Sequence, residues 1–474
     1  MFVCFLSLAF TIPVSVLGHL DHFPVLIAKS SNPHIICANQ HISVLKQYLD
    51  IDDTENVPKS SDIAFFDNSR KSAKLPLLRM DKLHKTLSTD LTNIVIVVQD
   101  KAMVLNAAIA VAQNFPSISF KKQLVVNIKL DIVWSESGQL KYLHLEEYRH
   151  YIQNYIDSTR LTAALADFPP NLLYSSTYIQ VIRDISKPLG IEVEIIQGEE
   201  LQRKGFGGIF NVGKAAIVSH QPALVVLTYR GDPTNEKSTA LVGKGIIYDS
   251  GGYSIKTSTG MRGMKRDMAG SAAVLGAIVN LARNQAKKNV YAVLCIAENL
   301  VGSESFKNDD VIQMYSGKSV EVANTDAEGG LVLADGVAYA SKHLNPTYII
   351  DIATLTGAQQ GATGVNHAAL LTNNPLLEDK FELYGRETGE LNQRILYCPE
   401  FFVPEYYSPI ADFTNIPKNG GNLGCAAAGN FIEEHLDENY KGSWVHLDIA
   451  FPSEIGDRAN GFGSALLSYA VEHL

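Results

Sequence analysis

Four apolar runs rich in β-branched residues, Ala223 to Tyr229, Ala240 to Ile247, Tyr291 to Ala297 and Tyr348 to Ile352, alternate with stretches of helical spacing such as Gly270 to Arg283. Strands that are apolar on both faces have to be covered on both faces, and helices between successive strands supply that cover. The pattern predicts an α/β fold built on a mostly parallel, doubly covered sheet. Just upstream, Ser175 to Leu189 reads as a helix, Ile191 to Gln197 as a strand and Gly205 to Gly208 as a flexible turn. A further α/β unit comes first, with Phe23 to Ala28, Asn93 to Val98 and Leu124 to Leu130 as strands and Met103 to Gln113 as a helix. Within it, Asp50 to Ser72 is polar and reads as a surface excursion. Between the units, Tyr148, Ile152, Tyr155, Ile156, Leu161 and Leu165 recur at helical steps until Pro169-Pro170 stop them, because a residue before proline is pushed out of the α region. The expected division is a first domain over 1–155, a linker helix and proline turn over 156–171, and a second domain over 172–474.

A formal net charge of -10 argues against a general polyanion-binding surface, which needs clustered Lys and Arg, so nucleic acid is not an expected partner. Cys4, Cys37, Cys295, Cys398 and Cys425 are scattered without a CxxC pair, which indicates neither a disulfide framework nor a thiolate zinc site. No N-x-[ST] acceptor occurs, since Asn345-Pro346-Thr347 is excluded by its proline, and the expected location is cytoplasmic. The alternative is secretion, if residues 1–18 act as a signal peptide: Phe2 to Leu17 is apolar and Gly18 suits a cleavage site. No basic residue precedes that stretch, however, and Pro13 interrupts it, so Val3 to Phe10 is expected as a first buried strand. The stretch is too short for a stable membrane span.

Chemistry concentrates in two places. Lys244 to Asp249 runs off the end of an expected strand, where ligands of open α/β sheets bind, and Lys256 and Asp267 follow, the latter just before a helix whose N-terminus favours a carboxylate. Asn324 to Gly330 adds Asp326 and Glu328, which in an extended segment would face the same way. Singly, each acid is what a helix cap or a turn uses. Four of them with two lysines among glycines call for cations: carboxylates suit Mg²⁺, Mn²⁺ and Zn²⁺, and one can bridge two ions. A lysine beside such ions and out of water can serve as a neutral amine ligand. Competing chemistries lack their motifs, with no G-x-S-x-G, H-E-x-x-H or G-x-x-x-x-G-K-[ST]. His144 and His150 read as residues of a surface helix, and His446 as a hydrogen-bonded core or pocket residue.

Val242 to Gly252, Ser254 to Lys256, Met264 to Asp267, Ala297 to Asn299, Tyr315 to Lys318 and Asn324 to Gly329 together resemble the leucyl aminopeptidase (cytosol aminopeptidase) family. Arg203 to Gly208, Met264 to Asp267 and Trp444 to Asp448 are most similar to its animal "probable aminopeptidase-like" subgroup. The resemblance is strong from about Ala164 onward and covers the N-terminal third in layout only. It implies an N-terminal macro-like α/β domain, a C-terminal zinc-exopeptidase-like catalytic domain and a homo-hexamer. It also implies two divalent metal ions per subunit, Zn²⁺ or Mn²⁺ with Mg²⁺ as a third choice. The implied ligands are Lys244, Asp249, Asp267, Asp326 and Glu328, with Asp249 and Glu328 bridging, and Lys256 is the implied catalytic lysine. The implied substrates are peptides with a free N-terminal amine, bound to a metal beside Asp267.

One departure matters: the family's motif carries at the position of Gly330 a catalytic arginine, which anchors a bicarbonate acting as general base. Two expectations follow. The leading one is an active metallo-aminopeptidase working through a two-metal-activated water; the other is a catalytically weak or inactive member with a structural or binding role. Arg262, Lys265 and Arg266 lie near in sequence and read as solvated surface charges. Phe168 stands where the family commonly has threonine and reads as interdomain packing, while Met264 reads as a wall of the substrate pocket.

Overall fold

Runs such as Asn93-Ile-Val-Ile-Val alternate their side chains between the two faces of a sheet, and Ile94, Val95, Ile96 and Val97 are all buried. The computed structural model describes residues 25–28, 34–38, 63–66, 93–98, 101–115, 117–120, 128–420 and 422–474. The expected strand Val3 to Phe10, and the signal-like alternative for residues 1–18, lie outside the described residues.

In the first domain β1 (Val25–Ile27), β2 (His34–Ala38), β3 (Ile63–Phe66), β4 (Asn93–Val97), β5 (Ile128–Glu136) and β6 (Gln139–Tyr142) form one sheet, in the order β1-β5-β4-β2-β3 with β6 beside β5. All described pairs along that order are parallel, and the β5-β6 hairpin turns through Ser137 and Gly138, both at positive φ. Helix α1 (Val104–Asn114) lies buried along its whole length. Two expectations need correcting. The polar excursion Asp50 to Ser72 contains β3, because Ile63-Ala-Phe-Phe66 is apolar enough to pair with β2. The strand expected from Leu124 to Leu130 is described from Ile128 and extends beyond Leu130 to Glu136, while Leu124 to Asn127 lie outside the described residues.

Helix α2 (Arg149–Asp167) links the domains and ends at Phe168 before the two prolines. His144 is not on this helix but in the single turn before it, its ring 2.5 Å from Asp131. Helix α3 (Ser175–Ser186) and strand β7 (Glu192–Gln197) follow as expected. The segment Gly205 to Gly208 is not a flexible turn: Gly207 begins helix α4 (Gly207–Gly213), and side chains there would strike the carbonyl oxygens of Gln313 and Leu331. These glycines serve close packing.

The large sheet contains β7, β8 (Ala223–Arg230), β9 (Ser238–Asp249), β10 (Asn289–Asn299), β13 (Tyr348–Ala353), β14 (Ala368–Thr372), β15 (Asn392–Arg394) and β17 (Ser443–Asp448). Its order is β15-β14-β17-β13-β9-β10-β8-β7. The centre, β17-β13-β9-β10, is parallel as expected, whereas β14-β17, β10-β8 and β8-β7 pair antiparallel, so the sheet is mixed toward its edges. Strands β11 (Val311–Gln313), β12 (Ser319–Glu321) and β16 (Phe413–Thr414) form a small separate sheet, and β18 (Glu454–Ile455) pairs with β19 (Arg458–Ala459). Neighbouring residues of the central strands enter opposite cores. Leu241, Ile352 and Leu447 pack with helix α5 (Ala269–Arg283), while Val242, Ala353 and Trp444 pack with α6 (Glu328–Tyr339) and α7 (Gly424–Glu433). The double cover predicted from the alternation is present.

Three contacts fasten the domains. Phe168, 1% exposed, meets Phe120 edge-on. Asp167 accepts from Arg458 Nε at 2.6 Å and from the Ala459 amide at 3.1 Å, its carbonyl accepts from Lys265 Nζ at 2.5 Å, and Arg458 also donates to the Ile118 carbonyl. Buried Glu390 accepts from Gln113 of α1 at 2.8 Å and from the Leu466 amide of helix α8 (Ser464–His473) at 2.7 Å.

Burial pushes the Glu390 carboxyl up to about 8 despite the hydrogen bonds it accepts. A group held above its unfolded value of 4.5 contributes stability that is fully present below that pH and lost as pH rises through about 8. Urea unfolding between pH 5 and 9 is therefore expected to show a decline that Glu390→Gln flattens, by on the order of a few kcal/mol. Equal slopes in the two proteins would remove Glu390 as its source.

Candidate metal centre

Strand β9 carries Lys244 inside the sheet and ends on Asp249. Lys244 is 3% exposed, and its Nζ spends its three donors on Asp267 Oδ1 at 2.9 Å, Glu328 Oε1 at 3.0 Å and the Thr354 carbonyl at 3.0 Å. Burial works against its charge, but Asp267, Glu328 and Asp249 hold the ammonium above the ordinary lysine range. Among these acids Lys244 could serve as the neutral amine ligand expected from the sequence only by releasing a proton, so cation binding there would be coupled to proton release.

After Asp249 the chain turns through Gly251 and Gly252, both at positive φ, where a Cβ would press on Asp326 Oδ1 and on Asn299 Oδ1 respectively. The turn delivers Lys256, whose Nζ lies 2.8 Å from Asp249 Oδ2 and 2.6 Å from Asp326 Oδ1. Burial opposes this charge too, and Asp249 and the other acids outweigh it, so Lys256 is held as an ammonium. Its side chain is 17% exposed, which leaves it facing the open side of the cluster.

Asp267 stands between the single turn Met264–Arg266 and α5. Its Oδ1 accepts from Thr354 Oγ1 at 2.9 Å, while its Oδ2 is buried without a partner. Burial pushes this carboxyl up to about 6. Asp326 and Glu328 do not share an extended segment as expected: Asp326 sits in a turn and Glu328 is the first residue of α6. The turn still brings them together, and oxygens of Asp249, Asp326 and Glu328 lie within 4.8 Å of one another. Gly329 is required because a Cβ there would collide with Lys244 Nζ. Burial raises the carboxyls of Asp326 and Glu328, the latter strongly, with Asp249 adding repulsion in both.

Four carboxylates against two ammonium groups leave a surplus of negative charge that burial magnifies. Hard oxygen donors with one amine, an unsatisfied buried oxygen on Asp267 and raised carboxyls fit a site for divalent cations.

Three supporting residues escaped sequence reasoning. Asn299 is fully buried, and its Nδ2 donates to Asp249 Oδ1 and the Thr325 carbonyl and lies 3.5 Å from Glu328 Oε2. A register shift between β9 and β10 at Ala297/Asn299 sets Asn299 opposite Asp249, the re-aiming that bulges bring near sites. Thr354 binds both Lys244 and Asp267, and Asn415 accepts from the Ala323 and Asn324 amides to fix the acidic turn. Only the AEN triplet around Asn299 carried a signal; the other two come from remote segments.

At Gly330, in the first turn of α6, a Cβ would stand 3.3 Å from the Phe431 ring of α7. Of the neighbouring cations, Arg262 is 84% exposed beside Asp457, as expected. Lys265 and Arg266 are not solvated charges: Lys265 binds Asp167, and Arg266 pairs with Glu454 and donates to the Asp457 carbonyl. His446 is buried with Nδ1 2.5 Å from Asp351, a core residue away from the cluster's ion pairs.

The model of the cytosol aminopeptidase family's catalytic domain matches residues 160–468. Probable aminopeptidase NPEPL1 of Homo sapiens is 43% identical over 380 residues, covering 79% of this chain and 71% of that protein. Leucine aminopeptidase 1 of Caenorhabditis elegans is 41% identical over 373 residues, 77% and 73% of the two chains. In three dimensions, the leucyl aminopeptidase of Trypanosoma cruzi superposes with a TM-score of 0.85 at 32% identity, covering 97% of this chain and 98% of that one. A two-domain α/β fold, an acid and lysine cluster at the ends of its parallel strands and a match of this extent make the chain a member of the cytosol aminopeptidase family of metalloexopeptidases.

Proposed function

We propose that this chain is a metallo-aminopeptidase that removes the N-terminal residue from peptides at a site for two divalent ions, Zn²⁺ or Mn²⁺, with Mg²⁺ also compatible with the oxygen-rich donors. The observation that carries the reading is the gathering of Asp249, Asp267, Asp326 and Glu328 around Lys244 and Lys256, with Asp267 Oδ2 buried and unpartnered. Lys244, Asp249, Asp267, Asp326 and Glu328 would hold the ions. When bound, such ions supply an acidified water and a polarised carbonyl.

The chain's own residues supply the rest. Lys256 is the less buried of the two lysines and would stabilise negative charge on the attacked carbonyl oxygen. Asp267, whose Oδ2 is without a partner, would lie beside a substrate amine bound to a metal, and that requirement would select free N-termini. Lys244 would hold an ion as the neutral amine, having released its proton.

A second reading, a weak or inactive member, draws on Gly330: the guanidinium that would anchor a base is missing, and Lys265 and Arg266 are committed elsewhere. Positioned acid–base help contributes about 10²–10⁴-fold, a part of the whole, so activity is expected to be lowered rather than absent. Protein loaded with Mn²⁺ or Zn²⁺ should release free amino acids from aminoacyl amides and short peptides and should lose that activity to a chelator. No release from any substrate of such a panel leaves the second reading in place of the first.

The proposal extends to a cytoplasmic homo-hexamer and to the division into 1–155, 156–171 and 172–474. Among the described residues no helix is long and apolar enough to cross a membrane.

A further inference from the structure

Asp448, the last residue of β17, is fully buried, yet among its hydrogen-bonded partners there is no lysine or arginine. Its Oδ1 accepts from the amides of Leu355 and Ala450, each at 3.1 Å. Its Oδ2 accepts from the Thr356 amide at 3.1 Å and from Thr356 Oγ1 at 2.7 Å. A buried carboxylate held by amides in this way fixes the segment that supplies them. That segment is the turn after β13, whose final residue Ala353 pairs with Asp448 across the sheet.

The consequence lies on the other side of one peptide unit. A trans peptide is planar, so holding the Leu355 N–H on Asp448 sends the Thr354 carbonyl the opposite way. That carbonyl is the third acceptor of Lys244 Nζ, at 3.0 Å, and the Thr354 hydroxyl donates to Asp267 Oδ1 at 2.9 Å. With Oδ1 so occupied, Asp267 is left with Oδ2 free.

We propose that Asp448 is a positioning residue: through the Thr354–Thr356 turn it orients Lys244 and Asp267, two of the groups that would hold a divalent ion. The inference rests on the two-metal reading given above. Outer partners of ligating groups typically change metal affinity by about 10–100-fold when removed.

The test is calorimetric titration of the metal-free full chain with Mn²⁺ alone, accompanied by circular dichroism. Thr354→Val keeps the side-chain shape and removes the donor to Asp267; it is expected to weaken Mn²⁺ binding about 10–100-fold with an unchanged spectrum, and Thr354→Ser to restore it. Asp448→Asn is expected to weaken binding similarly. Should that variant fail to fold, Thr356→Val, which removes a single donor to Asp448, takes its place and is expected to weaken binding in the same direction. Native protein that binds Mn²⁺ while the folded Asp448-side variant binds it within twofold of native overturns this inference alone, whatever Thr354→Val does. Native protein that binds no divalent ion overturns the metal reading, and this inference with it.

Discussion

Glu328→Gln is expected to lower peptide hydrolysis by at least about 10³-fold, because the metal-derived charge stabilisation it would forfeit is worth several kcal/mol and each 1.4 kcal/mol is roughly tenfold in rate. The amide keeps the volume at the start of α6, so the circular dichroism spectrum should not change. It removes one of the two charged partners of Lys244 and one of the three clustered acids whose oxygens lie within 4.8 Å of one another. Mn²⁺ binding should weaken in parallel with activity. A Glu328→Gln protein that binds Mn²⁺ and turns over peptide at native rates would exclude this residue from the metal-holding set.

Lys256→Ala should behave differently. A donor aimed at a developing oxyanion is worth about 10²–10³ in kcat, so turnover is expected to fall by that factor with KM little changed. Metal binding should be retained or tightened, because Lys256, ion-paired with Asp249 and Asp326 at 2.8 and 2.6 Å, competes with a cation for them. The two substitutions thus separate holding the ions from using them. Equal loss of Mn²⁺ binding in both variants would show that Lys256 acts through the ligands and not on the substrate.

The central sheet was legible because apolar β-branched runs such as Ala240 to Ile247 bury both faces, a local signal that survives without knowing the strand order. Antiparallel neighbours at the edges were not, since nothing in β8 or β14 records the direction of the strand beside it. The acid and lysine set was legible as a concentration of charge, but the shape of Asn324 to Gly330 was not: glycines after Glu328 disguise a helix start, and Gly329 stands there because a side chain would strike Lys244. The roles of Asn299, Thr354 and Asp448 stayed hidden for a different reason, although Ala297 to Asn299 and Trp444 to Asp448 are among the motifs of the resemblance. These residues reach the cluster only through the lateral order β17-β13-β9-β10, which places segments far apart in sequence side by side. Likewise Lys265 and Arg266 looked like solvent charges until their partners at Asp167 and Glu454 were brought up by the domain junction.

That junction also sets an order of events during synthesis. Asp167 leaves the ribosome at the C-terminal end of α2, where the helix dipole opposes a negative charge, and the closest partner of its carboxylate, Arg458, follows 291 residues later. Closing so long a loop adds only slowly to the entropic cost, yet the contact cannot form before the β18-β19 hairpin has been made. Until then the nascent chain carries an N-terminal domain whose clamp lacks its Arg458 half, and a chain stalled short of that hairpin would present the buried faces of Asp167 and Ile118 to water and to chaperones.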